Sequence, residues 1–244
     1  YQFDRKTETF TEHLKGIGAQ GLWEDEEGMF WLAVENLGLV RYNPETRSIE
    51  ETFGIKEGLP NARTYSVKAD EAGHLWITTA NGLARFDLAT QQFTNFDRTD
   101  GLPSTVFLQG ASASFQAKDG ILYLGTDKGL AFFDPLKVPT NQIAPSVLIE
   151  KVEINGEAVD LDHQPLHLNY KERNISFHFL GVHFTKPEKN RYVYQCEAYD
   201  QEWIDNGTQR TVRYTNLDPG QYTFKVKSAN SDGIWNDTSA TFAF

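Results

Sequence analysis

The chain has 244 residues, 39 % hydrophobic and 13 % aromatic, enough for one large or two ordinary domains with packed cores. Its net charge of −11 leaves both halves acidic, which argues against a phosphate backbone or an anionic membrane surface as the main partner, so no nucleic acid is expected. The single cysteine, Cys196, excludes an intrachain disulfide and a cysteine zinc site, and no run of about 18 apolar residues reads as a membrane span.

The chain starts without Met on YQFDRKTETFT (1–11), which matches only the last strand of the units that follow, so a fragment of a longer polypeptide is expected. Three related stretches come next: WLAVENLGLVRYN from Trp31, WITTANGLARFD from Trp76 and YLGTDKGLAFFD from Tyr123. An Asp-x-x-Gly precedes the aromatic at Asp25 and Asp70, shortened to a Lys-Asp-Gly ending at Gly120 in the third copy. Turn glycines recur at Gly38, Gly82 and Gly129, and a Gly-Leu-Pro closes a unit at Gly58 and at Gly101. Residues 65–96 read as YSVKA, HLWITT, LARFD and QFTNF, four short antiparallel strands. A four-stranded unit recurring every 45 or so residues, with fixed turn chemistry, predicts β-propeller blades. About three blades cannot close a ring, since propellers use about four to eight.

Asp25 and Asp70 are read as turn formers rather than metal ligands, because Asp first and Gly fourth is ordinary tight-turn chemistry. Trp31 and Trp76 are read as packing between blades rather than a sugar-stacking platform. The W-I-x-T-x-x-G-L-x-x-F-D pattern, followed by T-x-x-F and G-L-P, resembles the two-component regulator propeller repeat, with an extra Leu37 in the first turn.

The stretch DPLKVPTNQIAPS (134–146) carries three prolines and no apolar periodicity, which predicts a linker, placed at 138–145 between a partial propeller at 1–137 and a second domain at 146–244. Beyond it lie a hairpin around Asn155-Gly156 and the stretches PLHLNY, ISFHFLGV, RYVYQCEAY, RTVRYTNL, QYTFKVKSAN and ATFAF. Seven or eight strands in about 100 residues predict an immunoglobulin-like β-sandwich, making the whole chain all-β. From Tyr192 onward the sequence resembles the triple-tyrosine (Y_Y_Y) domain, with Tyr194, Tyr214 and Tyr222 aligned to the named tyrosines and Trp203, LDPG (217–220) and NSDGIW (230–235, ending on Trp235) as landmarks. A tyrosine beside such a Pro-Gly turn is expected to pack its ring and bond its hydroxyl to backbone at the sheet corner.

The two resemblances together imply the periplasmic, ligand-sensing and signal-relay end of a bacterial membrane-bound two-component sensor, with a transmembrane anchor after Phe244 and an output domain such as a histidine kinase in the parent. Alternatives are a secreted carbohydrate-binding or adhesion module and a propeller hydrolase or lyase. No enzyme activity, cofactor or metal site is expected of the chain itself. His163 and His167 are separated by Pro165 in a strand-like stretch, His178 and His183 would face opposite sides of a strand, and the hydrolase, zincin and phosphate-loop motifs are missing. The sequons at Asn174, Asn206 and Asn236 are near chance. In antiparallel blades the loop entering the first strand and the turn joining the second and third open on one face. That places Asn61, Arg63, Tyr65, Asn81, Thr105, Gln109, Asp127 and Lys128 as a candidate site for an oligosaccharide or other small polar ligand. Unpaired blade faces predict self-association into a homo-oligomer, with a dimer expected.

Overall fold

The computed structural model describes residues 1–110, 113–162, 164–169, 172 and 174–244. They form two compact units, Tyr1–Pro139 and Thr140–Phe244, built almost wholly of strands and turns. Among the described residues no helix is long and apolar enough to cross a membrane.

The first unit begins with a two-stranded ribbon, β1 (Gln2–Asp4) and β2 (Thr9–Thr11), with Phe3 opposite Phe10. Blade 1 is the meander β3 (Ala19–Glu24), β4 (Phe30–Val34), β5 (Gly38–Asn43) and β6 (Ser48–Phe53). Blade 2 repeats it with β7 (Thr64–Ala69), β8 (His74–Thr79), β9 (Gly82–Asp87) and β10 (Gln92–Phe96). The third sheet has three strands, β11 (Ser114–Gln116), β12 (Leu122–Thr126) and β13 (Gly129–Phe133). Where the first two blades continue into a fourth strand, the chain here enters a 3₁₀ turn at Pro135–Lys137, capped by the Asp134 carboxylate accepting the Leu136 N–H. Pro135 has no N–H to give to a ladder, and the turn leads the backbone away from the edge of β13.

Stacking of blades explains the large apolar residues at repeated positions. Trp31, Leu39 and Phe53 of blade 1 share a cluster with Val67, Leu75, Ile77 and Phe86 of blade 2. Trp76 and Leu83 share the next with Phe107, Leu122, Leu124 and Ala131 of blade 3. A middle blade therefore has no solvent face, and Leu75 through Thr79 are all buried. The approach is close enough at Gly21 that a Cβ there would lie 2.9 Å from Ser66 Cα and from Val67 N. Hydrogen bonds sew the blades together: Thr64 Oγ1 lies 3.1 Å from Val34 O, and Gln116 Nε2 donates to Ala69 O at 2.8 Å.

The second unit comprises β14 (Ser146–Ile154), β15 (Glu157–Ala158), β16 (Ile175–Val182), β17 (Arg191–Glu197), β18 (Ile204–Gly207), β19 (Thr211–Tyr214), β20 (Thr223–Ala229) and β21 (Ala240–Ala243). They pair as two antiparallel four-stranded sheets, β15-β14-β16-β19 and β18-β17-β20-β21. Strict alternation along β16 sends Ile175, Phe177 and Phe179 inward, and Phe177 stacks on Phe224 of the facing sheet with centroids 4.0 Å apart. Asn155 and Gly156 take φ of 51° and 94°, the left-handed pair that a two-residue hairpin of this twist requires.

A strand is expected at 165–170, but none forms over 165–169, and Tyr170 lies outside the described residues. Pro165 cannot donate, and this segment meets β21 through the Leu166 N–H to Ala243 O bond at 3.0 Å. The Gln164 side chain also accepts the Ala243 N–H.

Candidate functional site

Backbone contacts join the blade-entry loops to the turns between second and third strands along one end of the blades. Ala80 N–H donates to Arg63 O at 2.9 Å, which places the blade 2 entry beside the β8–β9 turn that carries Asn81. Gly82 N–H donates to Thr105 O at 2.7 Å, linking that turn to the blade 3 entry, and Asp127 N–H donates to Val106 O at 3.1 Å. Arg63, Asn81, Thr105, Asp127 and Lys128 therefore follow one another along a single edge. The side chains of Arg63, Asn81, Asp127 and Lys128 are exposed there.

The other three candidates have different roles. Asn61 uses its side-chain oxygen locally, accepting the Arg63 N–H at 2.9 Å. Gln109 is exposed but lies past Leu108, whose N–H already pairs with Gly125 O inside the blade. Tyr65, expected on the rim, packs half-buried against the Trp76 cluster between blades 2 and 3. The cause is a β-bulge: register shifts between Thr64 and Ser66, as it does between Ala19 and Gly21 in blade 1, and the extra residue is turned out of the alternation. Glu35, in the blade 1 turn, was missed by the sequence reading and forms an ion pair with Arg63 at 3.7 Å. Its place matches Asp127 in the third copy, so the repeat itself held the signal.

The repeated Asp and Trp prove to be one structural device. In blade 1 Asp25 Oδ1 accepts the N–H groups of Glu27 and Met29, and Oδ2 accepts the Trp31 indole N–H at 2.9 Å. In blade 2 Asp70 does the same for Ala72 and His74, with the Trp76 indole at 2.8 Å. Burial alone would raise the Asp70 pKa, but the donors from His74 and Trp76 outweigh it and hold the carboxyl below its usual value. An arginine on the neighbouring strand completes each set, Arg41 at 5.8 Å from the Trp31 ring and Arg85 at 5.9 Å from the Trp76 ring. Blade 3 replaces all three members together, with Ala117, Tyr123 and Phe132. Tyr123 and Phe132 stack at 5.8 Å on a face that also carries Phe115, and among the described residues this face is open: Phe115 is 63 % and Phe132 66 % exposed. Among the described residues no three His, Cys, Asp or Glu side chains group to hold a metal ion, and His163 lies outside them.

In the second unit the aligned tyrosines meet one carboxylate and one corner. Tyr214 is buried, and its hydroxyl donates to Asp200 Oδ2 at 2.5 Å, while Cys196 N–H donates to the same oxygen at 2.7 Å. Burial first, and then the Asp200 carboxylate, push the Tyr214 phenol far above its usual range, and the same two causes push the Cys196 thiol up to about 12. Tyr194 packs edge-on to Tyr214 at 6.3 Å. Tyr222 stacks on Phe244 at 5.4 Å and its hydroxyl donates to Asp218 O at 2.9 Å, the sheet-corner bond expected from LDPG. A Cβ at Gly220 would lie 3.2 Å from the Tyr222 ring, which accounts for the glycine in that turn.

Residues 183–244 match the Y_Y_Y domain. The second unit carries a Y_Y_Y domain. The chain is 27 % identical over 240 residues to histidine kinase P4 of Formosa agariphila, an alignment that takes in 93 % of this chain and 17 % of the kinase. It also superposes with a TM-score of 0.60 and 19 % identity on the extracellular domain assigned to a hybrid two-component system, BT3049, of B. thetaiotaomicron. That superposition covers 96 % of this chain and 39 % of the solved one, and it shows a shared fold. The chain thus spans under half the length of each of these two proteins.

Within the Y_Y_Y domain the landmarks now have physical roles. Tyr214 ties β19 to the turn after β17 through Asp200, and Tyr222 locks the corner before β20. Trp203 is partly exposed, with the Lys227 ammonium 5.5 Å from its ring centroid, and Trp235 bridges to Ala229. Asp200 was missed by the sequence reading because one Asp in a polar turn carries no periodic signal.

Proposed function

We propose that this chain is the ligand-sensing and signal-relay portion of a bacterial transmembrane receptor of the two-component type, lying outside the cytoplasm and acting without catalysis. The alignment to histidine kinase P4 carries the reading, because it runs through both units in one order. The parent protein is then anchored in the membrane beyond Phe244 and supplies the output domain. The ligand is an oligosaccharide or a comparably polar small molecule held along the rim of Arg63, Asn81, Thr105, Asp127 and Lys128. Exposed hydrogen-bonding groups on a rigid scaffold suit such a ligand. The bare face of Phe115, Tyr123 and Phe132 supports assembly into a homo-oligomer, with a dimer expected.

Calorimetric titration of the chain with neutral and acidic oligosaccharides of two to eight units tests this. Saturable binding that Arg63→Ala and Asn81→Ala weaken at least tenfold, with the sugar recovered intact, is the expected result. Binding that survives both substitutions would remove the rim from the proposal, and cleavage of the sugar would favour the propeller hydrolase or lyase.

A further inference from the structure

The segment entering the second unit is held by side chains that lie about ninety residues later in the sequence. Asn230, just after β20, is 1 % exposed and its side chain makes four hydrogen bonds. Its Oδ1 accepts the N–H groups of Asp232 and Ile234 at 2.9 and 3.0 Å, which folds the 230–235 loop. Its Nδ2 donates to Asn141 O at 2.7 Å and Ile143 O at 2.9 Å. Asp232 Oδ2 then accepts the Asn141 N–H at 2.9 Å.

A second layer fixes the Asn141 side chain. Its Oδ1 accepts the Ile143 N–H at 3.0 Å, which orients the amide so that Nδ2 faces His183 Nε2 at 3.2 Å. His183 Nδ1 lies 2.7 Å from Thr185 O, so the ring carries its proton on Nδ1 and accepts through Nε2. An asparagine amide can make four bonds in all, and a loop cap needs only the two through oxygen. The other two are spent on the entering segment.

We propose that the Asn230–Asp232 loop is a clamp that couples the segment at 141–143 to the end of β20, so that displacement of one loosens the other. The part it would play in signalling rests on the receptor reading above, whereas the clamp itself rests on these contacts.

Hydrogen exchange on the ligand-free chain tests it. Asp232→Ala removes the acceptor for the Asn141 N–H, and that amide is expected to exchange about tenfold faster while Phe224 and Val226 stay at the wild-type rate. Asn141→Ala tests the reciprocal direction: coupling requires the Asp232 and Ile234 amides to exchange several-fold faster as well. If they keep the wild-type rate, Asn230 is only a local loop cap and the clamp is refuted. Should Asn141→Ala perturb the fold, Asn141→Ser, which keeps an oxygen acceptor for Ile143 but loses the amide donor to His183 and adds no charge, carries the same test. No ligand enters this experiment, so its failure overturns the clamp and leaves the receptor reading to the oligosaccharide titration.

Discussion

Replacing Asp70 by Asn tests the bond on which the repeated Asp and Trp depend. It also replaces the oxygen that meets His74 Nδ1 at 3.0 Å, so a Trp76 partner variant is needed to single out the indole. Asn keeps Oδ1, so the turn bonds from Ala72 and His74 at 2.9 and 3.0 Å survive. It puts an NH₂ where Oδ2 accepted the Trp76 indole at 2.8 Å, so two donors face each other around a ring that is 1 % exposed. A buried donor without a partner costs about 1–3 kcal/mol, and the Asp70→Asn loss is expected near 2 kcal/mol. Trp76→Phe removes the donor, so the double variant should be more stable than the sum of single losses predicts, by about 1–2 kcal/mol. Urea unfolding reads both, with the second unit as internal reference because it lacks this device. The pH dependence adds a sign. The Asp70 pKa is lower in the folded chain than in the unfolded one, so its contribution is complete above the unfolded value of about 4 and disappears as the pH falls through the folded value. The gap between wild type and Asp70→Asn should therefore be widest near neutrality and narrow below about pH 4. A neutral-pH gap under about 0.5 kcal/mol, or one that persists unchanged to pH 3, would refute the indole–carboxylate account.

Four further outcomes follow from the contacts described above. Gly21→Ala places a Cβ 2.9 Å from backbone atoms of Ser66 and Val67, and since backbone cannot give way cheaply, calorimetry should show the first unit destabilised by about 1–3 kcal/mol. Tyr214→Phe deletes a charge-assisted bond to Asp200 and should cost the Y_Y_Y domain about 1.5–3 kcal/mol by urea unfolding, with the first unit unaffected. Cys196 is buried with its pKa pushed up to about 12, so at pH 8 it should resist a thiol reagent until the domain unfolds, and rapid labelling of native protein would contradict that environment. Phe132→Glu charges the bare face of the third blade, and light scattering across a dilution series should show any oligomer shift toward monomer.

The sequence by itself determined the blades and the sandwich, because both rest on local rules repeated many times. Alternation fixes which face a strand buries, the Asn81-Gly82 and Asn155-Gly156 turns fix hairpins, and three copies of one pattern reinforce each other. The tyrosine corner was legible for the same reason, since Tyr222 and Asp218 are near neighbours in the chain. Only the tertiary structure decided what depends on partners far apart or on a single residue of offset. One bulge turned Tyr65 from the rim into the packing, and one proline ended the third blade a strand early. The indole bond showed that Asp70 and Trp76 are a unit, and why blade 3 lost Asp, Trp and Arg together. The hold of Asn230 and Asp232 on Asn141 joins residues about ninety apart through isolated polar contacts, which leave no periodic trace in a sequence.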